Sequence, residues 1–230
     1  MFPCSPRTKA GVAIFLLVAA AGSGMAARLW LAGMPGQLFF LLTRLGMVGL
    51  PWLWVVWVDK QKPTISLPSR HQGLIGLLLG TAMVGIILTA YWLVGQSWID
   101  PVVVRSRAEI LGLTRPIVYG AGALYFTFIN SLVEEYIWRW FICQQWEVLL
   151  PQKAVPYLAA LCFTLHHSLV LLAYTGSWFV VALGSFGVFV AGTLWAWCYL
   201  RYRSLGACYL SHLLADLAIA LLGWQILFLA

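Results

Sequence analysis

The sequence predicts an all-α fold, a polytopic transmembrane bundle of about seven to eight helices. Two observations predict it. Of the 230 residues, 62% are hydrophobic and only 9% are charged, against about 25% charged in an ordinary soluble domain. The apolar residues also fall into long runs, each close to the roughly 20 residues that a helix needs to cross a bilayer. The first run, Ala10–Ala32, exceeds the roughly 7–15 apolar residues of a secretory signal, and further runs follow it, so it is expected to remain as a membrane helix. The second, Leu38–Val58, ends in Trp52, Trp54 and Trp57 just before Asp59 and Lys60, the pattern of an interfacial aromatic belt. The third, Gly73–Gly95, contains Gly76 and Gly80, a GxxxG pair that favours close helix packing. The more polar stretch from Gln96 to Arg115 has room for an eighth segment. Ile117–Phe141, Ala154–Tyr174, Trp178–Leu200 and Ala207–Phe228 complete the set. The connections are short, and there is no internal repeat or low-complexity tail. Residues 1–230 therefore read as one membrane-embedded domain.

The net charge of +7 raises the question of a polyanionic partner. Its distribution argues for topology instead, and no nucleic acid is expected. Arg7, Lys9, Lys60, Lys62, Arg70, Lys153, Arg201 and Arg203 flank the runs on alternate connections. With seven spans, these residues share the side of the N-terminus, which the positive-inside rule makes cytoplasmic. Arg28, Arg105, Arg107 and Arg115 fall on or near the other side. The five cysteines, Cys4, Cys143, Cys162, Cys198 and Cys208, are irregularly spaced and form no CxxC pair. They read as apolar packing residues.

A charge at the centre of a membrane helix costs roughly 2.5–3.5 kcal/mol on insertion scales, so each one inside a run needs a reason. Glu134, Glu135 and Arg139 lie in the fourth run, His166 and His167 in the fifth, and His212 and Asp216 in the seventh. Arg44, in the second run, stands apart. Glu135 and Arg139 are four residues apart and share a helix face, with the acid on the favourable N-terminal side. Glu134 is turned about 100° away and is free to point elsewhere. Phe163 with His167, and His212 with Asp216, repeat the four-residue spacing. A buried Glu–Arg strut or a lone interhelical histidine bond explains each part separately. The insertion costs of all three on three helices accumulate, which points to chemistry.

A carboxylate and a neutral imidazole can hold one water between them. The carboxylate takes its proton while the water attacks a carbonyl, and a second polar pair stabilises the oxyanion. Other intramembrane designs lack their signatures: there is no HExxH, no Gly-Asp dipeptide and no GxSG.

The three clusters read "EEYIWR" (Glu134–Arg139), "FTLHH" (Phe163–His167) and "HLLAD" (His212–Asp216). In order and approximate separation they resemble the EExxxR, FxxxH and HxxxN/D motifs of the CAAX-protease and bacteriocin-processing family, also called Abi, of intramembrane glutamic endopeptidases. The resemblance runs from about Asn130 to Asp216, and the motif-bearing core is expected over about 117–228. It implies a membrane peptidase in which Glu134 is the general base and His167 orients or activates water. His212 and Asp216 would form the oxyanion site, and Glu135 and Arg139 would be structural support. Many eukaryotic members have Asn at the Asp216 position. Asp216 therefore either donates as a protonated acid or orients His212. His166 is the alternative to His167 for facing the site.

The expected partners are the lipid bilayer and a peptide or membrane-protein substrate. No cofactor is expected. The alternative is a zinc peptidase with Glu134, His167 and His212 as ligands. A reading from another class is a proton-coupled transporter or non-catalytic adaptor using the same buried acids. The lack of repeated halves and paired broken helices argues against transport. So short a chain, with minimal connections, points to a bacterial plasma membrane, and away from a prenylated substrate as the default.

Overall fold

The computed structural model describes residues 5–31, 33–66 and 68–229. Cys4 and Ala32, the latter closing the first expected run, lie outside the described residues. In chain order the helices are α1 (Pro6–Trp30), α2 (Gly33–Val58), α3 (Arg70–Trp98), α4 (Pro101–Ile110), α5 (Pro116–Leu149), α6 (Val155–Thr175), α7 (Trp178–Tyr202) and α8 (Gly206–Leu229). All but α4 are long and apolar enough to cross a membrane, seven in total. The protein is an integral membrane protein with an all-α polytopic fold. No strand forms among the described residues, where an isolated bridge joins Ser66 to Ser204.

The helices begin where the sequence supplies caps. Ser5 accepts from the Thr8 amide, and Ser69 and Gln72 close a reciprocal capping box at the start of α3. α6 ends at Gly176 with φ +61, a left-handed cap that glycine adopts without a Cβ clash. This lets α7 fold straight back along α6.

Apart from shifts of a few residues at the helix ends, two features depart from the hydropathy reading, for physical reasons. The room between Gln96 and Arg115 is filled by α4, a helix of 10 residues. At about 1.5 Å per residue it reaches about half the thickness of the apolar core, so it is no span. The fourth run, expected to stop at Phe141, continues as helix to Leu149. Its polar residues have partners: Gln144 donates to the Tyr199 hydroxyl at 3.1 Å, Gln145 to Asp59 at 3.4 Å, and Glu147 accepts two bonds from Arg203 at 2.7 and 2.5 Å.

The helix ends sort into two poles. At one, Lys9 Nζ donates to the Val58 carbonyl at 3.2 Å and Arg7 to the Leu149 carbonyl at 3.1 Å, while Ser66 Oγ donates to the Arg203 carbonyl at 2.5 Å. Burial here raises the Asp59 carboxyl above its ordinary value, against the pull of its Gln145 hydrogen bond and of Lys9. At the other pole Arg105 reaches the Ile226 and Leu227 carbonyls, and the Tyr119 hydroxyl donates to the Ala220 carbonyl at 2.7 Å.

α1 and α2 form one antiparallel hairpin and α6 and α7 another, while α3 packs along α8. α5 runs through the middle and touches α1, α2, α6, α7 and α8. Trp138, Arg139 and Phe141 of α5 and Phe163 of α6 are almost wholly buried. The cysteines Cys143, Cys162, Cys198 and Cys208 are free and buried, as packing residues should be.

The GxxxG pair sits where α3 meets α8. A Cβ on Gly76 would lie 2.8 Å from the Ala207 carbonyl oxygen, and one on Gly80 3.0 Å from Ser211 Cα. Both obstacles are backbone atoms that cannot turn aside. Gly76→Ala is expected to cost about 1–3 kcal/mol, the usual range for overpacking. Thermal unfolding in detergent is the measurement. Gly85→Ala on the same helix is the control, because a Cβ there meets nothing within 4 Å. Equal midpoints for the two variants would contradict the contact.

Candidate active site

Three helices meet around Glu134, which is 3% exposed. α5 carries Asn130, Glu134, Glu135 and Arg139. In it the turns widen to the π type over Tyr125–Asn130 and again over Tyr136–Ile142, with Ser131–Glu135 as ordinary helix between them. Such wide turns are common at functional sites. Both lie beside the two carboxylates. α6 contributes Phe163, His166 and His167, and α8 contributes Ser211, His212 and Asp216.

Glu134 is held from its own helix and faced by imidazoles from two others. Asn130 Nδ2 donates to its Oε1 at 3.0 Å. His166 Nε2 lies 3.8 Å from the same oxygen. Oε2 faces His167 Nε2 at 3.8 Å and His212 Nε2 at 3.7 Å. His167 Nδ1 lies 2.9 Å from the Phe163 carbonyl oxygen. A carbonyl can only accept, so Nδ1 carries the proton and the Nε2 lone pair is turned toward Glu134. His167 is also the most open of these groups, its side chain 24% exposed.

Glu135, wholly buried, uses both oxygens. Oε1 accepts from His212 Nδ1 at 2.8 Å, and Oε2 lies 3.3 Å from Arg139 Nε. The strut read from the sequence is present. It also fixes the ring of His212, which the spacing alone did not reveal. His212 Nε2 lies 3.5 Å from Asp216 Oδ1. Asp216 Oδ2 has no hydrogen-bond partner among the described residues.

Aromatic rings wall the cluster. The Arg139 guanidinium lies over Phe163 at 4.4 Å and over Trp195 at 5.0 Å, where the ring faces offset part of the cost of burying the charge. Trp195 stacks on His212 with centroids 4.2 Å apart and planes at 19°, and donates to Ser211 Oγ at 3.0 Å. Trp138 stacks on His166 at 5.4 Å. Phe163, the first residue of FxxxH, thus serves as a floor for Arg139 as well as supplying the carbonyl that orients His167.

Both histidines of the His166–His167 pair face Glu134, one on each oxygen. Among the described residues, the group whose ligand atoms all lie within 4.8 Å of one another is Glu134, His166 and His167. The set anticipated for zinc has His212 in place of His166; His212 Nε2 also lies 3.7 Å from Glu134, outside this group of three. Asn130, Trp138, Trp195 and Ser211 were missed. Asn130 had a signal, four residues before Glu134 on one helix face. The tryptophans had none, since composition makes tryptophan ordinary in this chain.

The family model described as Type II CAAX prenyl endopeptidase Rce1-like matches residues 117–218. Over this stretch, less than half of the chain, the protein is similar to that family. No curated protein and no solved structure matches the chain. The matched stretch opens at the second residue of α5 and closes two residues after Asp216, so it holds all three motifs, α5 from its second residue onward, and α6 and α7 entire. The match supports an intramembrane endopeptidase of the CAAX type in general terms.

Proposed function

We propose that the chain hydrolyses a peptide bond in a membrane-associated protein or peptide, by a glutamic mechanism that needs no metal. One observation carries the reading: two fixed acceptors, Glu134 Oε2 and His167 Nε2, face each other at 3.8 Å in a buried polar cluster. A single water about 2.8 Å from each would donate one hydrogen to each. The water oxygen attacks the scissile carbonyl carbon as Glu134 Oε2 takes its proton. Asn130 on Oε1 keeps the carboxylate turned so that Oε2 is the basic atom.

Charge then develops on the carbonyl oxygen. With Nδ1–H given to Glu135, His212 donates from Nε2 only as imidazolium. Asp216 adds a second donor through a protonated Oδ2. Together they hydrogen-bond the oxyanion. On collapse the C–N bond breaks, and Glu134 returns its proton to the leaving amine. Glu135 acts through His212 and is a positioning residue. Residues 1–230 act as one peptidase domain in this reading, and the basic pole that holds Arg7, Lys9 and Arg203 faces the cytoplasm of a bacterial plasma membrane.

The test compares membrane-peptide fragments in cells with the wild-type chain and with Glu134→Gln. Fragments present only with the wild type identify the substrate. Identical fragment sets would end the peptidase reading. Metal independence has its own check. Chelator is expected to leave the activity of the purified protein unchanged. About one zinc per chain together with chelator-sensitive activity would replace the glutamic mechanism by a zinc one.

A further inference from the structure

His166 is not part of the FxxxH motif and has no task in the mechanism above, yet it is as buried as Glu134, at 3% exposed. Neither of its ring nitrogens has a hydrogen-bond partner among the described residues. A buried polar side chain is ordinarily satisfied, so this ring is poised for something beyond the protein. Trp138 holds it by stacking, and Nε2 is aimed at Glu134 Oε1 from 3.8 Å.

Next to it, His167 meets the usual requirement for a metal ligand: its Nδ1–H is given to a backbone carbonyl, which fixes the tautomer and frees Nε2. The His166 and His167 rings lie side by side with centroids 4.1 Å apart. Their ligand atoms and a Glu134 oxygen fall within 4.8 Å of one another. Two imidazole nitrogens and a carboxylate suit zinc and its borderline neighbours. They do not suit calcium or magnesium, which take oxygen donors.

We propose that Glu134, His166 and His167 form an inhibitory site for a zinc-class divalent cation. Resting on the glutamic reading above, the inference adds a regulator to it. The ion takes the lone pairs of Glu134 and His167 that would otherwise hold the water, so the base is engaged and the nucleophile displaced. Zinc therefore acts with the opposite sign to a cofactor: removal leaves turnover intact, and addition lowers it. His212 Nε2 lies 3.7 Å from Glu134 Oε2 but also 3.5 Å from Asp216 Oδ1, and it falls outside the group of three whose ligand atoms converge, so it is not assigned as a ligand.

The experiment uses the full chain in detergent, stripped with chelator and exchanged into metal-free buffer. Zinc is titrated by calorimetry, and cobalt by its visible absorption. About one ion per chain is expected, with the intense cobalt bands of a low-coordinate nitrogen and oxygen site. His166→Gln and His166→Phe should each weaken binding at least about tenfold, since loss of even an outer partner weakens metal sites by about 10–100-fold. His212→Ala should bind as tightly as the wild type. If neither His166 variant elutes as a folded species, His167→Ala decides by the same two readouts.

No binding, binding unchanged in the His166 variants, or binding lost in His212→Ala would each overturn the site. Zinc bound there without a fall in turnover would overturn the inhibition. The glutamic reading fails by a different sign, chelator-sensitive turnover, and the binding titration does not depend on activity.

Discussion

Purified Glu134→Gln protein is expected to bind substrate as the wild type does and to lose about 10²–10⁴-fold in kcat, the span that a positioned general base contributes. Glutamine keeps the shape of the side chain, and its amide oxygen can still accept from Asn130. What disappears is the basic Oε2. A base acts only as the proton moves, so the loss falls on the transition state, and kcat and kcat/KM drop together while KM holds. His212→Ala is expected to cost about 2.7–4 kcal/mol of barrier, as the removal of one oxyanion donor does elsewhere. Single-turnover kinetics with substrate in hand separate the two. A Glu134→Gln chain with near wild-type kcat would remove the carboxylate from the chemistry altogether.

Arg139→Ala is expected to act on folding. The guanidinium is 1% exposed, pairs with Glu135 and lies over the faces of Phe163 and Trp195. Its removal leaves the Glu135 carboxylate, itself 0% exposed, without the guanidinium beside Oε2 in the centre of the bundle. Breaking a buried pair in this way costs roughly 3–5 kcal/mol, a large part of the stability of most domains. The amount of monodisperse protein recovered from membranes should fall sharply, and what survives should unfold at lower temperature. A well-folded but inactive Arg139→Ala chain would move Arg139 from the scaffold into the active site.

The spans were legible because hydropathy and length report the same fact, that a helix must satisfy its own backbone in lipid. The limits of α5 were not, because the residues that extend it, Gln144, Gln145 and Glu147, draw their support from Tyr199, Asp59 and Arg203 on other segments. Within the cluster, four-residue spacing exposed the Glu135–Arg139 strut and the His212–Asp216 pair, since both are local to one helix. It could not show that Glu135 reaches α8, or that His166 and His167 both turn to Glu134. Adjacent residues on an ideal helix point about 100° apart, and only the packed neighbour shows how two rings share one carboxylate. The stacking of Trp195 on His212 is likewise a property of the packed state.

Glu135 joins the strut to the imidazole through one carboxylate, Oε2 toward Arg139 and Oε1 toward His212. Loosening the central helix at Glu135 also releases the hydrogen bond that holds the His212 ring. In the proposed mechanism, a form in which this part of the helix has melted has lost its positioned imidazole. The half-life of heat inactivation is then expected to follow the rate at which the bundle opens around Glu135.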